Sequence, residues 1–284
     1  DSYVIAGYFG SGTPPTTHPN KGYVVSWPYT TAEFTSENFP GSQQTQVTGI
    51  NNTGDTVGFY VDAAGNNFGF TDIHGHFKKV VDPKTPKLSP ATAVTNQLLG
   101  INNHDVAVGF YNDKNGHAHG YEFNVSNHSF RAISPPHATS ATATGINDKG
   151  DISGFLAESN GNTAGFLDRG GHFATFEFPG STNTMAFGLN NDDAVVGSYV
   201  DESKGTHGFV HAGSIFQTVD DPNGAAGTTI VNGINNRYSL VGFSTDAAGN
   251  TNGFEANPAN NYTFQTLNDA KDPTFNQLLG INDH

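Results

Sequence analysis

The 284-residue chain has no cysteine. Disulfides, thiolate nucleophiles, cysteine-ligated zinc and iron–sulfur clusters are therefore excluded. Charge is also scarce: Asp, Glu, Lys and Arg make up 13% of the residues, against a usual ~25%. Long helices and coiled coils depend on those residues, so both are disfavoured. Basic residues are the scarcest of all. Twelve Lys and Arg face 26 Asp and Glu, a net charge of -14 with His neutral. Such a surface repels phosphate backbones and anionic lipid, so neither nucleic acid nor a membrane surface is expected as a partner. No apolar run reaches the ~18 residues of a membrane-spanning helix. The Gly-x-Ser-x-Gly and His-Glu-x-x-His signatures of common hydrolases are absent as well.

What is present points to an all-β chain. Gly (35) and Pro (14) are abundant, and Phe (22) with Tyr (10) supplies ample aromatic volume for a core. Twelve His accompany the twelve basic residues, so surface charge shifts strongly across the imidazole titration range. No signal peptide is visible. The opening Asp1-Ser2-Tyr3, without Met, is consistent with a leader already removed.

The main signal is a repeat. Gly-Ile/Leu-Asn recurs at Gly49, Gly100, Gly145, Gly188, Gly233 and Gly280, at spacings of 51, 45, 43, 45 and 47 residues. A polar turn follows, then a short apolar run to Gly58, Gly109, Gly154, Gly197 or Gly242. Next comes an acid, seven residues before a further Gly: Asp62/Gly69, Asp113/Gly120, Glu158/Gly165, Asp201/Gly208 and Asp246/Gly253. An aromatic follows that Gly each time (Phe70, Tyr121, Phe166, Phe209, Phe254). In the third unit the pattern predicts strands over Ala143–Asn147, Ile152–Leu156, Ala164–Asp168 and Phe173–Phe178, separated by turn residues. Four strands per ~40–50 residues is the period of a β-propeller blade.

The two ends share one unit. Val4-Ile5-Ala6-Gly7-Tyr8 reads as a second strand, Lys21-Gly22-Tyr23-Val24 as a third, and Glu33 to Gly41 as a fourth. The missing first strand is at the other end, Leu278-Leu279-Gly280-Ile281-Asn282. The expectation is one domain over residues 1–284: a six-bladed β-propeller of four-stranded blades. Residues 1–48 and 276–284 form the closing blade, which removes the free sheet edges of a linear array.

The units resemble the HAF repeats of bacterial extracellular proteins. Gly100–Tyr121 (GINNHDVAVGFYNDKNGHAHGY) and Phe178–Phe209 (FPGSTNTMAFGLNNDDAVVGSYVDESKGTHGF) carry the likeness, which extends over essentially the whole chain. It implies a secreted or cell-surface location and no particular catalytic motif. His119 and His207 keep the His that precedes Gly-Phe in the family pattern. Phe68, Ala164, Asn252 and Lys21 replace it elsewhere.

A residue present in every unit is expected to be structural. The repeated Asn is read as a turn-bonding group, with an amide ring around water or a cation as the alternative. The acids opening the 2–3 loops are read as Asx-turn caps, although Asp246–Asn250 faintly resembles a calcium loop. Function is expected on the face of the 2–3 and 4–1 loops, because these vary in length while the 1–2 and 3–4 turns read as short and uniform. Insertions at Gly10–Asn20, Asp82–Asn96 and Asn268–Asn276 bias the site toward the ring closure. Candidate ligand-binding residues are His18, Lys21, Asp82, Lys84, His117, His119, His137, Asp221 and Asp272. No cofactor is required, although structural calcium or another divalent cation remains open. The expected role is a secreted binding module for a glycan, peptide or surface partner. A hydrolase or lyase with a His/carboxylate site on the same face, and a structural assembly protein, are the alternatives.

Overall fold

The computed structural model describes residues 3–10, 19–30, 33–87, 93–258 and 261–284. Among these the chain is all-β, with no α-helix, and is arranged as a β-propeller. The closing sheet holds β1 (Val4–Phe9), β2 (Lys21–Ser26), β3 (Phe34–Ser36) and β24 (Asn276–Ile281), in the order β24-β1-β2-β3. The second comprises β4 (Gln44–Ile50), β5 (Thr56–Val61), β6 (Asn67–Ile73) and β7 (His76–Val80). The third comprises β8 (Asn96–Ile101), β9 (Val106–Asn112), β10 (Ala118–Asn124) and β11 (Ser129–Ile133).

Next come β12 (Ser140–Ile146), β13 (Ile152–Ala157), β14 (Thr163–Arg169), β15 (His172–Phe176), β16 (Asn183–Leu189), β17 (Val195–Val200), β18 (Thr206–Ala212) and β19 (Ile215–Val219). The last sheet comprises β20 (Ile230–Ile234), β21 (Leu240–Thr245), β22 (Thr251–Asn257) and β23 (Thr263–Thr266).

The expectation of six separate four-stranded sheets is corrected. Four such sheets stand apart, and β12 to β19 run as one eight-stranded sheet. The reason is a single parallel pair, Thr163 with Asn183, joining β14 to β16. Bridges of the same kind pair Asn67 with Thr95, Thr206 with Thr228 and Thr251 with Phe275, there outside the named strands. The closing-blade boundary also moves: Gln44–Ile50 belongs to the second sheet, so the first segment ends before Gln44 rather than at residue 48.

Burial explains the composition. In each sheet the second and third strands are covered on both faces, so they read as near-continuous apolar runs such as Thr56–Val61. The fourth strands, such as His76–Val80 and Ile215–Val219, are mostly exposed and turn one Phe inward. The cores lie between neighbouring sheets. Ala6 packs with Val47, Tyr60 and Phe70, and Ile5 and Tyr23 pack with Val241 and Leu278. The aromatic after the third-strand Gly (Tyr23, Phe70, Tyr121, Phe166, Phe209 or Phe254) is fully buried every time. Each is worth roughly 2–3 kcal/mol of apolar burial.

The repeated Gly is explained by close approach. A Cβ on Gly100 would lie 2.8 Å from the Thr144 carbonyl oxygen and 3.2 Å from Gly145 Cα; one on Gly280 would lie 3.1 Å from Gly49 Cα. The six first strands meet backbone to backbone around a central channel. Each also carries a bulge just before this Gly, which bends the strand at the axis.

Candidate functional site

At one end of the channel the repeated Asn side chains form a closed ring. Each Nδ2 donates to the backbone oxygen of the next Asn: Asn51 to Asn102 (3.4 Å), Asn102 to Asn147 (2.9 Å), Asn147 to Asn190 (3.2 Å), Asn190 to Asn235 (3.3 Å), Asn235 to Asn282 (3.1 Å) and Asn282 to Asn51 (3.0 Å). Each Oδ1 accepts two backbone N–H groups, as Asn147 does from Lys149 and Asp151 of its own turn and Asn282 does from His284 and Val4. Both lone pairs of Oδ1 are thereby used, and the ring offers no free amide oxygen to a cation. The turn-bonding reading of this Asn matches the geometry.

The next residue forms a second ring. Its N–H donates to the side-chain oxygen of the following unit, from Asn52 through Asn103, Asp148, Asn191, Asn236 and Asp283 back to Asn52. Two of the six are Asp, three places apart. Asp148 Oδ2 accepts from the amides of Asn103 and Asn191, both at 2.9 Å. Asp283 Oδ2 accepts from Asn52 (3.1 Å) and Asn236 (2.8 Å). Four amide donors are thus matched to two carboxylates, whereas six amides would set donor against donor. Burial opposes the charge on Asp148, but these hydrogen bonds outweigh it and hold its carboxyl below the usual range.

The other end of the channel has a different character. Thr48, Leu99, Thr144, Phe187, Asn232 and Leu279, each just before the repeated Gly, surround a cup of about 260 Å³ with Phe110, Phe155 and Thr142. Phe155 meets Phe187 edge-on at 6.1 Å. First strands run from the 4–1 loops toward the Asn rings, so the cup opens on the face of the 4–1 and 2–3 loops. An apolar concavity with a few hydroxyls and one amide is built to take an apolar group.

The predicted site residues divide into several groups. His18 lies outside the described residues. Asp82, Asp221 and Asp272 are buried. Asp82 Oδ1 accepts from the Lys84 N–H, and Asp272 Oδ1 from the N–H and hydroxyl of Thr274. Asp221 takes the Asn223 N–H and the Ser244 hydroxyl. These are loop-shaping carboxylates turned inward, and the expectation that they present themselves to a ligand is corrected on that ground. Lys84 and His137 are exposed, and Lys21 is half-buried at the start of β2. His117 and His119 share Asp113, with His119 Nε2 at 3.2 Å and His117 Nδ1 at 3.7 Å. Among the described residues no group of three His, Asp or Glu is placed to hold a metal ion. Of the acids opening the 2–3 loops, Asp62, Asp113 and Asp246 are Asx caps, each accepting from two loop N–H groups.

His207 is a site the candidate residues omit. Its Nδ1 is 2.8 Å from Asp220 and its Nε2 3.3 Å from Asp201, and its ring stacks on Tyr199. Burial lowers its pKa, but the two carboxylates outweigh that and raise it overall. A carboxylate facing each ring nitrogen favours the protonated imidazole over the free base. A His-Gly-aromatic run whose His lies six residues after an acid was the available signal, and it also describes His119.

The cup was missed for a different reason. It draws residues from all six repeat units, most of them at positions where those units differ.

No protein-family model matches the chain, and no curated protein sequence is similar to it. Solved structures share its fold. TolB from Acinetobacter baumannii superposes with a TM-score of 0.66 at 9% identity, over 99% of this chain and 66% of that chain. This chain therefore spans about two thirds of that protein's length. A putative TolB from Agrobacterium tumefaciens gives 0.63 at 10% identity, over 98% and 92%. A fucose-specific lectin from Aleuria aurantia gives 0.51 at 9% identity, over 94% and 96%. These likenesses establish a β-propeller fold.

Proposed function

We propose that this chain is a secreted β-propeller binding module whose cup at the channel mouth receives an apolar side chain of a peptide or protein partner. The observation that carries this reading is the cup itself. Phe110, Phe155, Phe187, Leu99 and Leu279 remain partly exposed together around the mouth of the channel. A central apolar pocket with a polar rim is where binding energy concentrates in protein interfaces. The net charge of -14 favours a partner with basic residues beside its apolar anchor. The resemblance to extracellular repeats supports the location. Counting β12–β15 and β16–β19 as two blades joined at one bridge gives six blades, one for each Gly-Ile/Leu-Asn copy. That count belongs to the proposal. The hydrolase or lyase alternative has less support, because His207 is saturated by its carboxylates.

Selection of a displayed random-peptide library on the protein, counter-selected on folded Phe155→Asp, tests the reading. Enrichment of peptides with an aromatic or aliphatic residue beside Lys or Arg is expected. Absence of any Phe155-dependent enrichment would refute it.

A further inference from the structure

A second concavity, of about 330 Å³, lies on the opposite face between the closing sheet and the sheet β20–β23. One wall carries Tyr3, Trp27 and Tyr29; the other carries Glu255, Asn257 and Gln265. Trp27 is the sole tryptophan of the chain and is 58% exposed, one of two large apolar side chains so exposed among the described residues. The Tyr29 hydroxyl is buried with no hydrogen-bond partner among the described residues. Glu255 is itself buried, and burial alone pushes its carboxyl pKa up.

The flanking turns are also unusual. Third and fourth strands are joined by two residues in three cases (His74-Gly75, Gly170-Gly171 and Gly213-Ser214) and by residues 125–128 in a fourth. Beside this concavity the same strands are further apart in sequence: β2 ends at Ser26 and β3 begins at Phe34, and β22 ends at Asn257 and β23 begins at Thr263. The 3–4 connections are therefore not uniform in length.

We infer that this groove is a carbohydrate site for a neutral hexopyranose, separate from the cup. A sugar ring has an apolar C–H face and an edge of hydroxyls that both donate and accept. The exposed indole suits the face, with the half-buried Tyr29 ring beside it and Tyr3 buried behind. A carboxylate that only accepts, with amides that do both, suits the edge. The unpaired Tyr29 hydroxyl gains a partner when the site is filled, which recovers the cost of burying it alone. A quaternary ammonium ion is the competing occupant of an aromatic trio beside a carboxylate. The additional amides, which such an ion cannot use, favour the sugar.

Because Trp27 is the only indole, its fluorescence reads this groove directly. The test titrates the full chain with a panel of free hexoses and N-acetylhexosamines, and separately with tetramethylammonium. A saturable shift of Trp27 emission with at least one neutral sugar, at a dissociation constant on the order of millimolar, is expected. Glu255→Gln should weaken it at least about tenfold, since one charged acceptor is lost, while leaving the melt intact. The Phe155→Asp cup variant should bind the same sugar unchanged. Saturation by tetramethylammonium alone, or no saturable response to any sugar, would overturn the inference. So would a response indifferent to Glu255→Gln.

Discussion

Glu37 is a half-buried carboxyl whose surroundings disfavour its charge. Its carboxyl faces Asp72 across the junction of the closing sheet and the next, and Thr56 Oγ1 donates to it at 2.9 Å. Burial first, and then the shared hydrogen bond with Asp72, pushes its pKa up to about 7. A carboxyl raised in the folded state contributes stability that is complete below its unfolded pKa. That stability is lost as pH rises through the folded value. The chain should therefore become less stable between about pH 5 and about pH 8, and Glu37→Gln should flatten part of that slope. The difference should be about 1–2 kcal/mol, after discounting for solvent around a half-buried carboxyl. Urea denaturation of both proteins across this range measures it; parallel slopes would mean that the pair carries no proton. Nothing in the sequence indicated this pair, because Glu37 follows β3 and Asp72 lies on β6, and they meet only when the closing sheet packs on the next.

At the scale of the element, much of the architecture was legible because each strand repeats its neighbour's physical problem. The third unit's strands were expected over Ala143–Asn147, Ile152–Leu156, Ala164–Asp168 and Phe173–Phe178. They occur as Ser140–Ile146, Ile152–Ala157, Thr163–Arg169 and His172–Phe176. The first strand was cut short because Thr142, although buried, does not read as apolar. The paired glycines are the firmest local constraint. A Cβ on Gly154 of β13 would sit 2.2 Å from the Thr142 carbonyl oxygen and 2.5 Å from the Phe166 ring. Backbone cannot yield there without breaking the β12–β13 ladder, so Gly154→Ala should cost about 1–3 kcal/mol or more. A Gly171→Ala control, at an open turn with φ of 94°, should cost less, about 1 kcal/mol from backbone strain alone. Equal denaturation midpoints for the two variants would show that the strand-to-strand fit is looser than these distances. The concavities were less legible than the strands. The cup and the groove draw on positions that differ between units, and a repeat displays what its copies share.

At the scale of the whole molecule, closure depends on a junction that no peptide bond spans. Within the internal units the Asn Oδ1 accepts from the second and fourth residues that follow it. Asn147, for instance, accepts from Lys149 and Asp151, with its own N–H donating to the Asp151 carbonyl. At the junction Asn282 makes the same pattern with separate pieces of chain. Its Oδ1 accepts from His284 and from Val4, and its N–H donates to the Val4 carbonyl. Val4 thus occupies the place of a residue four positions on. The Asn282 amide also closes the ring to the Asn51 carbonyl at 3.0 Å. Asn147→Ala removes equivalent hydrogen bonds from a turn that the chain still holds together. Asn282→Ala removes them where only β24–β1 pairing and packing remain. Each substitution should cost roughly 1–3 kcal/mol for stranded buried donors, and Asn282→Ala should cost the more. Its effect should also be local. Amide exchange should quicken first in Val4–Phe9 and Asn276–Ile281, because opening the ring there exposes two sheet edges at once. Equal losses with evenly distributed exchange would mean that the sheet interfaces, rather than the asparagine ring, hold the closure.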